Sequence, residues 1–159
     1  MNTDANLLEK LQGFLIAMEQ INSRADHGCT FSIDPIAPEA DPTACITRGL
    51  AANSIEFKDL KLEPLDPWRP AVKSCLSCWL LQFQEPKNLD RSLWNHEHLR
   101  EIDRKRFLQP PLEWLDALVG NCDVYEFKMY PVEFYECDWN DFLIHAPETA
   151  YWLHLGVSD

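Results

Sequence analysis

Apolar residues recur every three or four positions near the start of the chain, between residues 4 and 22. This period places the apolar side chains along one face of an α-helix, where they can pack into a core. The sequence therefore predicts an amino-terminal helix over residues 4–22. Its apolar face is marked by Leu7, Leu11, Phe14, Met18 and Ile21.

The pattern changes between residues 29 and 66. The segments "TFSI" and "SIEFKDLKL" are rich in β-branched and aromatic residues, which are typical of strands. Between them, "DPIAPEADPTA" holds three prolines, and proline restricts a chain to extended or turn conformations. We predict strands within residues 30–62, separated by a loop that proline stiffens.

The middle of the chain predicts further helices. "DPWRPAVKSCLSCWLLQFQEP" has helical apolar spacing, although a buried strand fits the short run "CWLLQF" as well. "LDRSLWNHEHLREIDRKRF" alternates acids and bases, as solvated helices do. "PPLEWLDALVGN" reads as a separate short helix, with Pro111 in its first turn and Gly120 just past its end.

The last 37 residues alternate apolar and polar positions, as half-buried strands do. Three such runs follow one another, and "HAPETA" supplies a turn between the last two. We therefore predict an α+β fold in a single domain, residues 1–159. Its antiparallel sheet would combine this carboxy-terminal meander with the strands from 30–62 and pack against the amino-terminal helix and additional helices.

Composition limits the classes of partner. The 159 residues include 26 acids and 14 bases, a net charge of −12. Such a charge disfavours binding to nucleic-acid phosphates or to an anionic membrane. The first twenty residues contain no apolar run long enough for a signal peptide, and six cysteines without such a signal indicate reduced thiols. We therefore expect a cytoplasmic location, with neither nucleic acid nor membrane as partner.

The charge is concentrated at one end of the chain. Residues 113–159 carry ten acids and one base, a net −9, whereas residues 1–112 carry 16 acids and 13 bases. Acidic residues beside tyrosine and tryptophan suit the binding of a basic protein, because charge steers association and large rings dominate interface energies. We predict a partner-binding surface that includes Glu126, Glu133, Tyr135, Glu136, Asp138, Trp139 and Asp141.

Candidate chemistry is sparse. Cys75 and Cys78 form a C-x2-C, but the following His96 and His98 have an H-x-H spacing that differs from common zinc sites. No glycine-rich phosphate loop and no nucleophile elbow is present. We therefore predict no catalytic residues, no metal and no cofactor. A small enzyme with an unrecognised Cys/His pair or carboxylate pair stays open as an alternative.

The end of the chain, "DFLIHAPETAYWLHLGVSD", resembles the end of several small bacterial immunity proteins. Those proteins are the antidotes encoded beside polymorphic toxins of the Rhs or contact-dependent type. The resemblance implies a non-enzymatic inhibitor that binds one cognate toxin domain, often a nuclease with a basic cleft. Two other binding roles stay open from the sequence: a phage-type nucleic-acid mimic that blocks a defence complex, and a secretion-system chaperone.

Overall fold

The computed structural model describes residues 3–23, 28–82 and 97–158. In chain order the elements are α1 (Thr3–Asn22), β1 (Cys29–Ile36), α2 (Pro42–Ala52), β2 (Phe57–Pro64), α3 (Trp68–Ser77) with a π-helical turn (Cys78–Gln82), α4 (Glu97–Val119), β3 (Asp123–Pro131), β4 (Asp138–His145) and β5 (Ala150–Val157).

The five strands form one antiparallel sheet in the order β1-β5-β4-β3-β2. The predicted α+β fold is confirmed, including the meander of β3, β4 and β5 and the two strands contributed by residues 29–64. The predicted turn closes β4 onto β5, because the Ala146 amide donates to the Thr149 carbonyl at 2.9 Å.

Both faces of the sheet are covered. On one face, which we call the α1 face, buried side chains of α1, α3 and α4 pack on Tyr151, Leu153 and Leu155 of β5. On the opposite face, the α2 face, α2 packs against Leu143 and Trp152. Since β5 is buried on both sides, every one of its eight residues is buried. The adjacent Tyr151 and Trp152 point to opposite faces of the sheet, and each packs into a core.

The predicted amino-terminal helix is confirmed as α1. Leu11, Leu15 and Met18 lie in its buried stripe at 5%, 3% and 3% exposure, and they join the core of the α1 face. Ile21 lies at the margin of the stripe and is 45% exposed.

The interpretation of residues 34–44 as a loop was wrong in part, because β1 continues to Ile36 and α2 begins at Pro42, and no helix was predicted here. The Asp41 side chain caps the helix by accepting a hydrogen bond from the Ala44 amide at 3.0 Å, and a proline occupies the first helical turn. An aspartate followed by proline is a helix start as well as a turn signal. Burial of Ile46 and Leu50 at 0% exposure then holds the helix on the sheet.

The separate short helix predicted from Pro111 onward was also wrong. Helix α4 runs continuously through Pro110 and Pro111. Each proline removes one backbone hydrogen bond, but Leu108 and Leu115 on either side are 1% and 2% exposed in the same core. Their packing favours one helix, since tertiary burial supplies most helical stability in proteins. The residues predicted to begin the preceding helix, 89–96, lie outside the described ranges.

The helix favoured over a strand for residues 70–84 is confirmed by α3 and the π-helical turn up to Gln82, so the strand alternative was wrong there, and residues 83–84 lie outside the described ranges. Val72 and Leu76 point into the core of the α1 face. Within the described ranges, no helix has the length and apolar character required to cross a bilayer.

Candidate functional site

Polar side chains are buried together on the α2 face of strands β4 and β5. Strand register sets Asp141 of β4 directly opposite His154 of β5, and Trp152 lies on the same side of β5. The β3–β4 loop, residues 132–137, then places Tyr135 and Glu136 against them. We call these five residues the buried polar cluster.

Asp141 is the acceptor at the centre of the buried polar cluster. It is 0% exposed. Its Oδ1 accepts from Trp152 Nε1 at 2.7 Å and from His154 Nδ1 at 2.8 Å, and its Oδ2 accepts from the Tyr135 hydroxyl at 3.2 Å. A buried carboxylate without donors would be very costly, so these three bonds are what make its burial tolerable.

His154 lies between two carboxylates. Because Asp141 can only accept, the proton on the near side is assigned to His154 Nδ1. On the far side, Nε2 lies 3.6 Å from Glu136 Oε1, and both side chains are under 10% exposed. Glu136 Oε2 is buried and has no hydrogen-bond partner among the described residues.

Tyr135 links the loop to this cluster. Burial raises the pKa of its phenol above the ordinary value, and the negative charge of Asp141 raises it further. The phenol therefore stays protonated, and its hydroxyl hydrogen remains available to Asp141. One residue of the surface loop is thus fixed by a directional bond to a fully buried group.

Gly156 makes room for the cluster. A Cβ at this position would lie 2.7 Å from His154 Nε2 and 3.0 Å from Glu136 Cγ. Real Cβ atoms essentially never lie 2.7 Å from a neighbouring atom, and 3.0 Å is closer than most real contacts. The glycine therefore allows the imidazole and the Glu136 side chain to share the end of β5.

Next to the cluster, the chain exposes large apolar side chains. Tyr130, Val132 and Phe134 are 65%, 47% and 73% exposed. The described residues include six such exposed large apolar side chains, and these three fall within five consecutive positions. We call them the apolar tip. Scattered single apolar residues are ordinary on a surface, whereas large contiguous apolar patches are typical of interaction sites.

Exposed acids border the apolar tip. Glu133 lies within it and Asp138 follows the loop, and both are exposed. Glu56 is exposed as well, and its carbonyl accepts from the Val132 amide at 2.9 Å. A base lies on the other side, since Lys58 Nζ is 5.6 Å from the centre of the Tyr130 ring. The tip is therefore bordered by more exposed acids than bases, with Glu133 and Asp138 on its loop side.

The structure brings together only part of the predicted surface. Glu133 and Asp138 are exposed, and the half-buried rings of Tyr135 and Trp139 meet edge to face with centroids 5.3 Å apart. Glu126 lies elsewhere, on the α1 face, where it accepts from the side-chain amide of Asn140 at 2.9 Å.

The interpretation of Asp141 as a surface contact needs correction. Its side chain is fully buried, so it supports the loop from inside rather than meeting a partner. The acids of residues 113–159 do not form one surface either. Asp123 and Glu148 are exposed at the opposite end of the sheet from Glu133 and Asp138.

His154, Trp152, Gly156 and the apolar tip were missed from the sequence. Strand alternation supplied a usable signal for the first three, because residues 152, 154 and 156 share one face of β5. The alternation was not recognised because β5 is buried on both sides, so that Trp152 and His154 stand within a nearly continuous apolar run. For the tip, the signal was "YPVEF", an apolar stretch that continues past a strand-ending proline.

A separate pocket of about 530 Å³ lies at the opposite end of the sheet. It is formed by the β1–α2 and α4–β3 connections, by His145 and by Pro147, and none of the five cluster residues lines it. His145 Nε2 donates to the Glu39 carbonyl at 2.7 Å, which fixes the ring at the rim of this pocket.

The thiols at the C-x2-C differ from one another. Cys78 is exposed, whereas Cys75 is half-buried, and burial followed by the charge of Glu126 raises the pKa of the Cys75 thiol to about 12. Within the described ranges no group of His, Cys, Asp and Glu is arranged to hold a metal ion. His96 and the side chain of His98 lie outside the described residues.

These features define an α+β protein with an exposed apolar tip held over a buried polar cluster. No protein-family model, curated protein or solved structure matches the chain.

Proposed function

We propose that this protein is a non-enzymatic inhibitor that binds a basic protein through its β3–β4 loop. The supporting observation is the apolar tip, whose three large side chains are exposed within five residues beside a loop anchored in the protein interior. Exposed aromatic residues in one place are the usual centre of a protein interface.

Anchoring of the loop favours binding. The Tyr135 hydroxyl is bonded to Asp141 in the free protein, so the neighbouring Phe134 is presented without first ordering the loop. A pre-ordered contact loses less conformational entropy on association. Burying an exposed phenylalanine then contributes about 1.5–3 kcal/mol of hydrophobic free energy.

Charge supports a basic partner. The chain carries a net −12, and Glu133 and Asp138 are exposed beside the tip. These acids attract a cationic surface and raise the association rate, an effect that salt screens. The partner we propose is a toxin domain with a basic cleft, such as a nuclease, and the protein acts as its immunity protein in the cytoplasm.

The test uses the carboxy-terminal domain encoded by the reading frame directly upstream. Both proteins are produced together, cell survival is scored, and the affinity of the purified pair is measured. The variants are Phe134→Ser and, as a matched control, Phe107→Ser, because Phe107 is also an exposed phenylalanine, on α4.

We expect the wild-type protein to protect the cells. Phe134→Ser should weaken binding about tenfold or more, and Phe107→Ser less than about twofold. The proposal fails if the upstream domain does not bind, or if Phe134→Ser binds and protects as well as the wild type.

A further inference from the structure

Glu136 has an environment that the free protein does not satisfy. Its side chain is 9% exposed, yet Oε2 has no hydrogen-bond partner among the described residues and Oε1 is 3.6 Å from His154 Nε2. An unpartnered buried carboxylate oxygen is unfavourable, because it loses water without gaining a donor. Such groups are rare in folded proteins and call for a specific explanation.

The surrounding charges do not supply that partner. Asp141 is a second acceptor, and its donors are already engaged with it. Of the described basic side chains, His154 is the one within 4.0 Å of Glu136, and it is also bonded to Asp141. Two carboxylates therefore share a single imidazole in the interior.

The position of Glu136 relates this missing donor to the surface. It lies two residues after Phe134 and one before Cys137, and both of these are exposed. Gly156 lies against the Glu136 side chain, since a Cβ at position 156 would be 3.0 Å from Glu136 Cγ. The carboxylate is therefore buried next to exposed loop residues, against a glycine whose missing side chain leaves room for the Glu136 side chain.

We infer that Glu136 is the acceptor for a cationic side chain, an arginine or a lysine, that the partner inserts beside the apolar tip. This inference rests on the proposed function and names the group of the partner that is recognised. The cation supplies the donor that Oε2 lacks. Burial of the tip around the pair excludes water, which strengthens a charged hydrogen bond.

The edge-to-face rings of Tyr135 and Trp139 stand beside this site and suit the same ligand. A guanidinium group can stack on an aromatic face while its donors reach a carboxylate, whereas a neutral amide of similar shape gains neither interaction fully. The inference therefore predicts selectivity for a positive charge, not only for shape.

The first experiment uses a small probe and needs no partner protein. N-acetyl-arginine methylamide is titrated into labelled protein and followed by NMR, with the citrulline analogue as the neutral counterpart. The variant is Glu136→Gln. Its matched control is Glu148→Gln, an exposed glutamate at the opposite end of the sheet.

For the wild type we expect saturable shifts at residues 135–137, 154 and 156 with the arginine probe and none with citrulline. Glu136→Gln should weaken the probe about tenfold, and Glu148→Gln less than about twofold. The inference is overturned if the arginine probe does not bind, if Glu136→Gln binds it as well as the wild type, or if the shifts map to other residues.

The second experiment separates this inference from the proposed function. Glu136→Gln and Phe134→Ser are compared for binding to the upstream domain. Loss of binding with Phe134→Ser alone refutes the role of Glu136 and leaves the inhibitor proposal in place. Loss with both variants supports both, and loss with neither refutes both.

Discussion

Replacing Gly156 with alanine tests whether close packing holds the buried polar cluster in its geometry. The new Cβ would lie 2.7 Å from His154 Nε2, 2.9 Å from His154 Cε1 and 3.0 Å from Glu136 Cγ. The imidazole must therefore move. It cannot move freely, because Asp141 holds its Nδ1 at 2.8 Å.

The expected cost follows from these contacts. Loss of a hydrogen bond to a buried charged group costs about 1.5–3 kcal/mol. Forcing a methyl group into a well-packed interior costs about 1–3 kcal/mol. Since the two effects share the same movement of His154, they do not add fully. We expect Gly156→Ala to lower the free energy of unfolding by about 2–4 kcal/mol.

Gly13→Ala is the matched control. Gly13 lies in the middle of α1, and a Cβ there would have no described atom within 4 Å. Alanine at an exposed helical glycine should raise the free energy of unfolding by about 0.5–1 kcal/mol. The same substitution is thus expected to act with opposite signs at the two sites.

Urea unfolding measures both changes, and thermal unfolding should follow at about 2–4 °C per kcal/mol for a chain of this size. Gly156→Ala is then repeated in a His154→Ala background, which lacks the imidazole that the new Cβ would approach most closely. There the penalty of Gly156→Ala should fall by more than half. The proposed clash with His154 would be refuted if Gly156→Ala were as stable as the wild type. It would also be refuted if Gly156→Ala lowered the free energy of unfolding by the same amount with and without His154.

Asp141→Asn should cost about 2–4 kcal/mol in urea unfolding, because it removes a buried charge that accepts three bonds, whereas exposed Asp138→Asn should change stability by less than about 0.5 kcal/mol. At a pH of about 8.5, iodoacetamide should label Cys78 before Cys75, because burial raises the pKa of Cys75 to about 12; equal rates by mass spectrometry would contradict this. Tyr135 has a raised pKa in the fold, so its stabilisation is present below about pH 10 and declines above it as the unfolded phenol ionises. The stability advantage of the wild type over Tyr135→Phe should therefore shrink above about pH 10, and an advantage that grows would be inconsistent.

A regular apolar period identified core residues correctly in several elements. In α1, spacing of three and four put Leu11 and Leu15 in the core, and in β3 alternation did the same for Phe127 and Met129. Where both faces are buried, as in β5, the period disappears, and sequence alone does not say which residues share a face.

The two helix errors have one origin. Proline was taken to mark a loop at residues 34–44 and the start of a separate helix at Pro111. The proline residues alone do not decide between a break and a helix, because proline disfavours a helix interior but is common in a first turn. Whether a helix forms there depends on long-range burial, of Ile46 in α2 and of Leu108 and Leu115 in α4.

Net charge along the chain was a poor guide to the site, because it does not report which face a side chain occupies. Asp141 turned inward, and Glu148 went to the other end of the sheet. The contact between Asp141 and His154 joins residues 13 positions apart and depends on the β4–β5 register. That register follows from the turn and from the apolar pattern of both strands together.

The composition of the cluster itself bears on function. Buried charged groups are weak contributors to stability, because apolar residues of similar volume often replace them without loss. What apolar residues do not provide is direction: Tyr135 is bonded to Asp141 along a defined axis, and Asp141 is in turn fixed by Trp152. The cluster therefore sets the orientation of the loop in addition to holding it down. Orientation is of little consequence for a loop that contacts nothing, but it determines where the exposed Phe134 ring points and is therefore what a binding loop requires.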